Sequence, residues 1–414
     1  MSLVPSVLVV GIGGRSGTDG TVPDMTRTAG ADPVRYGVIG TGMMGCEHIL
    51  NLNQIDDAVV VAVSDPHRPS LDMALACIAD GSTGEQRFGQ PADGVGVYEN
   101  HSDLLARDDL DAVVIASPNY THVDVLADAL AGDVHVMVEK PLCTTVQDAL
   151  RVRALAEGRT AGGVPLMCWV ALEYRYMPTP AVLLDLVRSN LLGATRMVSI
   201  REHRFPFLTK VGDWNRFNAN TGGTLVEKCC HFFDLMHQLA GDRPTRVMAS
   251  GGQDVNHLDE MIERPDGSSA RPDILDNALV IVEFANGVRG ALDLCMFAEG
   301  GRYEQELSVV GDRGKLETTV PGDTVWHGAR PEFGSSPAGP VAIPAPLADE
   351  VRYSGFHHGS SYREHLRFIE QIRAGGDALV TVDDGLWSVA MGAAAHRSIE
   401  QGRPVELAEW DLEQ

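Results

Sequence analysis

The chain has 414 residues, which is too long for one hydrophobic core and predicts two or three domains. Its 57 acidic residues outnumber its 33 basic ones, giving a net charge of −24. This balance excludes nucleic acid and anionic membranes as partners, because nothing would neutralise their phosphates. Seven scattered cysteines without C-x-x-C spacing indicate reduced thiols in a cytoplasmic protein, with neither disulfides nor a metal site.

Residues 1–33 contain an apolar run, Val7–Val10, that leads into glycines. No helix can follow, because Gly17 to Pro33 is rich in Gly, Thr, Asp and Pro. The apolar run is also short and no basic residue precedes it, unlike a secretory signal. We expect a mostly disordered leader.

The next stretch predicts a dinucleotide site. An apolar run from Val34 enters a Gly-x-Gly-x-x-Gly turn that opens a helix. The first glycine would make the tight turn, the second would let the backbone approach a pyrophosphate, and the third would let helix pack on strand. A second apolar run, Ala58–Val63, ends at Ser64 and Asp65, which places a carboxylate about 20 residues on, where ribose hydroxyls need an acceptor. That carboxylate favours NAD over NADP. The turn residues assigned to the cofactor are Gly40, Thr41, Gly42, Met43, Met44 and Gly45.

Strand and helix patterns alternate from Val34 to about Ala171, which predicts a doubly wound parallel sheet, a Rossmann domain spanning residues 34–172. Polar residues follow the strands at their carboxyl ends, where such sheets bind ligands. We assign these residues to the cofactor site: Ser117, Pro118, Asn119, His122, Glu139 and Lys140. Asn119 and His122 would line the nicotinamide side, although Asn119 could equally cap a helix.

The order of these motifs resembles the Gfo/Idh/MocA family of nicotinamide-dependent sugar and polyol oxidoreductases. The resemblance rests on the glycine turn, Ser-Pro-Asn-x-x-His and Glu-Lys-Pro, and it continues to Arg403-Pro404-Val405. It implies a second α+β domain, residues 173–414, with a large open and mostly antiparallel sheet. Alternating strands predicted at 195–205, 245–255, 277–285, 287–297 and 304–310 agree with that sheet. We interpret 321–350 as a loop, followed by helices at 362–374 and 384–400.

A helix is predicted from Thr224 to Gly241, with Glu227, His231, Asp234 and Gln238 on one polar stripe. Glu227 could instead close a capping box with Thr224, and His231 could be a core histidine. The resemblance implies that His231 is the general base, with Glu227 where the family carries aspartate. It also implies that Lys140 stabilises the alkoxide, with a cis bond to Pro141. These three are the predicted catalytic residues.

The three catalytic residues are also expected to bind the substrate. Three further residues are assigned to the substrate site: Tyr174, Trp214 and Asn218. Trp214 and Asn218 belong to a segment that mixes ring faces with amides, which suits a sugar but also a domain-interface loop. His357-His358 has no spaced acid, so no metal is expected.

The sequence therefore predicts a cytoplasmic dehydrogenase acting on a secondary hydroxyl of a sugar, cyclitol or related polyol. The small-molecule substrate would be its only non-protein partner besides NAD, and we expect a homodimer or homotetramer. Two alternatives remain open: a catalytically silent NAD-binding regulator, and an NAD-dependent glycosidase of the same fold.

Overall fold

The structure is a computed structural model that describes residues 32–80, 94–263 and 267–412. The predicted leader falls almost wholly outside these ranges. No helix in the described ranges is long and apolar enough to cross a membrane.

The first sheet has six parallel strands in the order β3-β2-β1-β4-β5-β6. This order is the one found in dinucleotide-binding folds, where ligands bind beyond the carboxyl ends of the strands. Every residue of β4 and all but the first of β5 are buried, as expected for strands covered on both faces. The strands are β1 Val34–Ile39, β2 Ala58–Ser64, β3 Gly96–Tyr98, β4 Ala112–Ile115, β5 His135–Glu139 and β6 Cys168–Ala171. Its helices are α1 Met43–Leu52, α2 Arg68–Asp80, α3 His101–Leu105, α4 His122–Leu130 and α5 Val146–Ala156.

The second sheet has nine strands and is mixed but mostly antiparallel, with one parallel pair, β7–β10. Its order is β14-β13-β12-β11-β7-β10-β9-β8-β15. The strands are β7 Thr195–His203, β8 Pro244–Gly252, β9 Asn277–Phe284, β10 Arg289–Cys295, β11 Gln305–Gly311, β12 Gly314–Val320, β13 Thr324–Ala329, β14 Val341–Pro344 and β15 Val405–Glu406. The remaining helices are α6 Pro178–Arg188, α7 Asn218–Thr221, α8 Thr224–Glu227, α9 Cys230–Ala240, α10 Ser360–Ala374 and α11 Val382–Gln401.

One face of the second sheet packs against helices and the other is open. Burial alternates along β9, β11 and β12, so every second side chain lies in the core. Helices α9 and α11 cover the inner face, and the buried side chains of both sheets form one continuous core. The predicted fold, a Rossmann sheet followed by an open α+β domain, is confirmed.

One prediction about elements was wrong, and one helix was missed. The segment 321–350 contains β13 and β14, which extend the sheet at its edge. Edge strands are half-exposed, so their polar and glycine-rich sequence lacks the alternation that identified the central strands. Helix α6, which begins at Pro178, was also not predicted. The predicted domain boundary at 172/173 falls just after β6 and stays a prediction.

Candidate active site

The glycine turn, residues 40–45, has the geometry that a pyrophosphate site requires. Gly40 has φ +85°, and a Cβ there would clash with the backbone of Ser117 at the end of β4. A Cβ on Gly45 would clash with the carbonyl of Gly40, so helix α1 packs directly on the turn. At Gly42 a Cβ would meet nothing within 4 Å, which leaves the backbone open to an approaching ligand. The three glycines therefore have the geometry that the three predicted roles require.

Asp65 lies directly after β2 and faces this turn. Its carboxylate accepts from the backbone nitrogen of Thr41 at 2.8 Å and from the nitrogen of His67 at 2.8 Å. The predicted ribose acceptor is therefore already oriented beside the glycine turn.

The segment after β4 forms a wall at the same edge. Asn119 is buried, and its Nδ2 atom has no hydrogen-bond partner. His122 is fully buried, with ring nitrogens 2.9 Å from the Pro141 carbonyl and 3.0 Å from the Ser117 carbonyl. It ties the end of β4 to the turn after β5, so the structure places it behind the wall rather than on its surface. Burial lowers the pKa of its ring. Asn119 begins a short 3₁₀ turn, and its side chain makes no capping bond.

Strand β5 ends at Glu139, and Lys140 follows it. Glu139 is buried, 2.9 Å from Nε2 of His48 on α1, and also accepts from the Lys140 backbone nitrogen at 3.1 Å. The Lys140–Pro141 peptide bond is cis. Lys140 extends across to the second sheet's helices, where its Nζ donates to the Glu227 carbonyl at 3.3 Å. Burial alone would lower the pKa of Lys140, but nearby acidic groups outweigh it and raise that pKa, so the ammonium stays charged.

The predicted helix from Thr224 to Gly241 is interrupted. Helix α8 ends at Glu227 and α9 begins at Cys230. At this break the Glu227 carbonyl accepts hydrogen bonds from the Lys140 ammonium and from the Cys230 thiol. The capping box is absent: Gly223 is the N-cap, and the Thr224 hydroxyl donates to the Leu275 carbonyl at 2.6 Å. Glu227 is consequently a buried carboxyl with Oε2 unpartnered, and burial raises its pKa.

His231 lies in the first turn of α9, almost fully buried. Its ring stacks on Tyr174 with centroids 4.1 Å apart, and its Nδ1 atom has no partner. Burial, reinforced by the positive charges of Lys140 and Lys228, holds its pKa well below 6.5. The ring is therefore neutral near pH 7. A neutral imidazole beside a fixed ammonium can take a hydroxyl proton while the ammonium stabilises the alkoxide.

The interruption divides the predicted polar stripe. The Glu227 carbonyl bonds to Lys140 and the His231 ring stacks on Tyr174, whereas Asp234 forms a buried ion pair with Arg175. Gln238 donates to Asp384 on α11.

The three predicted substrate residues occupy different places. Tyr174 lies on the sheet side of His231, and its hydroxyl accepts from Gln305 at 3.1 Å. Trp214 contacts Tyr120 edge-on, with centroids 6.2 Å apart. Asn218 is tied to Asp273 through its backbone and side-chain nitrogens, and its Oδ1 atom is buried without a partner.

Sequence reasoning missed Glu173 and His357. Glu173 directly follows Leu172 after β6, so the rule that ligands bind at carboxyl ends of strands pointed to it. Its Oε1 atom lies 3.9 Å from Nε2 of His231 and 3.5 Å from Nε2 of His357. His357 lies in a loop, as predicted, but Glu173, an acid that is distant in the sequence, is close to it in space. No three His, Cys, Asp or Glu side chains of the described residues gather as metal ligands, and all seven cysteines are free.

Comparisons with known proteins identify one family across both domains. Residues 34–162 match the Gfo/Idh/MocA oxidoreductase family model for the NAD-binding Rossmann fold. Residues 185–407 match the same family's model for the C-terminal alpha/beta domain.

Individual relatives cover nearly the whole chain. Myo-inositol 2-dehydrogenase of Thermotoga maritima is 27% identical over 391 residues, 91% of this chain and 99% of the relative. Inositol 2-dehydrogenase of Rhizobium meliloti strain 1021 is 26% identical over 378 residues, again 91% and 99%. Among solved structures, an oxidoreductase domain protein from Kribbella flavida has a TM-score of 0.75 at 20% identity, covering 91% of this chain and 100% of that one. Levoglucosan dehydrogenase in complex with NADH has a TM-score of 0.74 at 17% identity, covering 91% and 99%. At these identities the solved structures support the fold alone.

Proposed function

Because the chain belongs to the Gfo/Idh/MocA family of NAD-binding oxidoreductases, we propose that it oxidises a secondary hydroxyl of a polyol or sugar, using NAD. The observation that carries the proposal is the hydrogen bond from Lys140 to the Glu227 carbonyl, at the break between α8 and α9. It holds a charged ammonium close enough to the neutral His231 ring to lower the pKa of that ring. Lys140 follows β5 at the sheet edge that bears the glycine turn, and His231 stacks on Tyr174, which follows β6 at the same edge.

The residues present fit a dinucleotide. The open backbone at Gly42 and the N-terminus of α1 would hold the pyrophosphate, and Asp65 would accept from the ribose hydroxyls. When bound there, the nicotinamide supplies the hydride acceptor. NAD is the proposed form rather than NADP, since a 2′-phosphate would meet the Asp65 carboxylate.

The chain's own residues would handle the hydroxyl proton. His231 would accept it, and Lys140 would hydrogen-bond the same oxygen and stabilise its developing negative charge. Glu227, a buried carboxyl near Lys140, would help to orient the ammonium or bind a neighbouring hydroxyl. Tyr174 would keep the His231 ring in place by stacking.

The substrate class follows from the site and the relatives together. Several buried oxygens near the catalytic residues lack a partner, including those of Glu202, Glu227 and Gln305. Acceptors of this kind suit a ligand with several hydroxyl donors, since a buried unpaired oxygen is costly. The names of the sequence relatives, myo-inositol 2-dehydrogenase and inositol 2-dehydrogenase, favour a cyclitol or a related polyol.

The direct test is a panel of polyols and sugars, with myo-inositol included, assayed with both cofactors at the nicotinamide absorbance band. We expect NAD reduction with at least one cyclitol or sugar. Cofactor binding without turnover across the whole panel would contradict the proposal and favour the silent regulator.

A further inference from the structure

Glu173 stands at the centre of a group that the proposed reaction leaves unused. It is fully buried, and Ser361 on α10 donates to its Oε2 atom at 2.9 Å. Its Oε1 atom has no hydrogen-bond partner. This same oxygen lies between two histidine nitrogens, 3.9 Å from Nε2 of His231 and 3.5 Å from Nε2 of His357. Shortening these two nitrogen–oxygen distances by about 1 Å would bring both nitrogens into hydrogen-bonding range of Oε1.

The charge states suit proton transfer through that oxygen. Burial, with repulsion from Glu139, raises the pKa of Glu173 to about 8, so the carboxyl is mostly protonated at neutral pH. The donor Ser361 occupies Oε2, which leaves Oε1 as the atom to carry the acid proton. Burial lowers the pKa of both histidine rings, that of His357 to about 3, so each ring is a neutral acceptor. Three other titratable groups interact with Glu173: Lys140 lowers its pKa, Glu47 raises it, and the buried carboxyl of Glu364 on α10 repels its charged form.

His357 is the outer member of this group. Its side chain is 24% exposed, whereas those of Glu173 and His231 are 0% and 2% exposed. It sits on the loop of residues 352–358, which docks on α1: Glu47 accepts from the Phe356 backbone nitrogen at 3.0 Å and from the Tyr353 hydroxyl at 3.3 Å. The loop is therefore held where His357 reaches both Glu173 and solvent.

We propose that Glu173 and His357 carry the substrate proton from His231 to solvent. The inference rests on the proposed function for the source of the proton. Both histidines keep a proton on Nδ1, which is buried in each ring and has no hydrogen-bond partner. When the hydroxyl proton reaches Nε2 of His231, the ring becomes an imidazolium. The acid proton on Oε1 moves to Nε2 of His357, and the proton on Nε2 of His231 replaces it on Oε1. His357 then releases the proton from Nε2 to water.

This sequence restores every group and moves one proton to water for each hydroxyl oxidised. Because one oxygen serves both histidines, the carboxyl needs no rotation between accepting and donating. Glu173 and His357 act through His231 and would be positioning and relay groups, without contact to the reacting carbon.

The first experiment compares identical substitutions at adjacent histidines, His357→Asn and His358→Asn. His358 is exposed and has a φ of 54°, a conformation that asparagine tolerates. With NAD and myo-inositol in dilute buffer, we expect His357→Asn to lower kcat at least about tenfold and to enlarge the solvent deuterium isotope effect. Added imidazole should restore turnover in proportion to its concentration. His358→Asn should behave as wild type. An unchanged kcat in His357→Asn, or a loss that imidazole does not restore, would overturn the relay.

The second experiment needs no substrate. Ring ¹⁵N shifts of the histidines are followed against pH in the wild type and in Glu173→Gln, with His231→Asn and His357→Asn used for assignment. We expect the His231 and His357 rings to report one common titration near pH 8, and both to lose it in Glu173→Gln. Independent behaviour of the two rings in the wild type would overturn the proposal. Absence of wild-type turnover with myo-inositol would count against the substrate class alone, because the ring titrations decide the relay separately.

Discussion

His231 and Lys140 perform separable tasks, which makes their variants informative. His231→Ala removes the proton acceptor, so we expect turnover to fall roughly 10²- to 10⁴-fold. NAD affinity should barely change, because α9 packs on the second sheet rather than on the glycine turn. Lys140→Ala should lower turnover similarly and also raise KM, because the ammonium would contact the hydroxyl before reaction. Steady-state kinetics combined with NAD titration measures both effects. Near-normal rates in both variants would mean that the reacting carbon lies elsewhere.

Glu227→Gln tests a residue whose simplest structural role is absent, since no capping box forms. The amide keeps the volume of the side chain but loses the negative charge near Lys140. A hydrogen bond to a charged group is worth about 1.5–3 kcal/mol, so kcat/KM should fall about tenfold or more. The melting temperature should stay nearly constant. A drop in melting temperature with unchanged kcat/KM would assign Glu227 to stability instead.

Asp65 governs the choice of cofactor. Its carboxylate already accepts from the Thr41 nitrogen beside the glycine turn, where it would bind ribose hydroxyls and repel a 2′-phosphate. We expect NAD to bind about tenfold or more tightly than NADP, and Asp65→Ser to narrow that difference. Fluorescence titration with both cofactors gives the two dissociation constants. Equal or tighter binding of NADP by the wild type would contradict the assignment.

At the scale of elements, the contacts that the sequence could predict are local ones. Period-two alternation identified the central strands of the second sheet, and the carboxyl-edge rule located Lys140 and Asp65. The break after Glu227 could not be predicted, because the Lys140 ammonium that takes its carbonyl lies 87 residues away. The position of His357 depends on a bond between Phe356 and Glu47, which are 309 residues apart. Long-range contacts of this kind leave no periodic trace in the chain.

The docked loop of residues 352–358 can be tested through Gly355, which has a φ of +51°. A Cβ there would overlap Oε1 of Glu47, the atom that accepts from Phe356. Gly355→Ala should therefore displace the loop, lower the free energy of unfolding by about 1–3 kcal/mol and reduce turnover. Gly334→Ala is the matched control, since Gly334 also has a positive φ but open space around its Cβ position. Thermal melts and turnover of both variants separate backbone strain from lost docking; equal effects would argue against docking.

The whole molecule presents the open face of its nine-stranded sheet to solvent. Met248 and Ile281 are register partners on β8 and β9, 47% and 43% exposed, and Leu279 on the same face is 62% exposed. A cluster of exposed apolar side chains on one face is typical of an association surface. The simplest way to cover that face is to pair it with the same face of a second subunit about a two-fold axis, in keeping with the predicted homodimer or homotetramer.

Light scattering at micromolar concentration should therefore give a mass of at least twice the 44.5 kDa of one chain. Leu279→Arg places a charge on the open face and should shift the protein toward monomer, because burying an unpaired charge is costly. Met73→Arg is the control: Met73 is 49% exposed but lies on α2, away from this sheet. It should leave the mass unchanged. A monomeric wild type would contradict the prediction that the exposed apolar face is an association surface. Loss of association in Met73→Arg alone would show that the interface lies on the Rossmann domain instead.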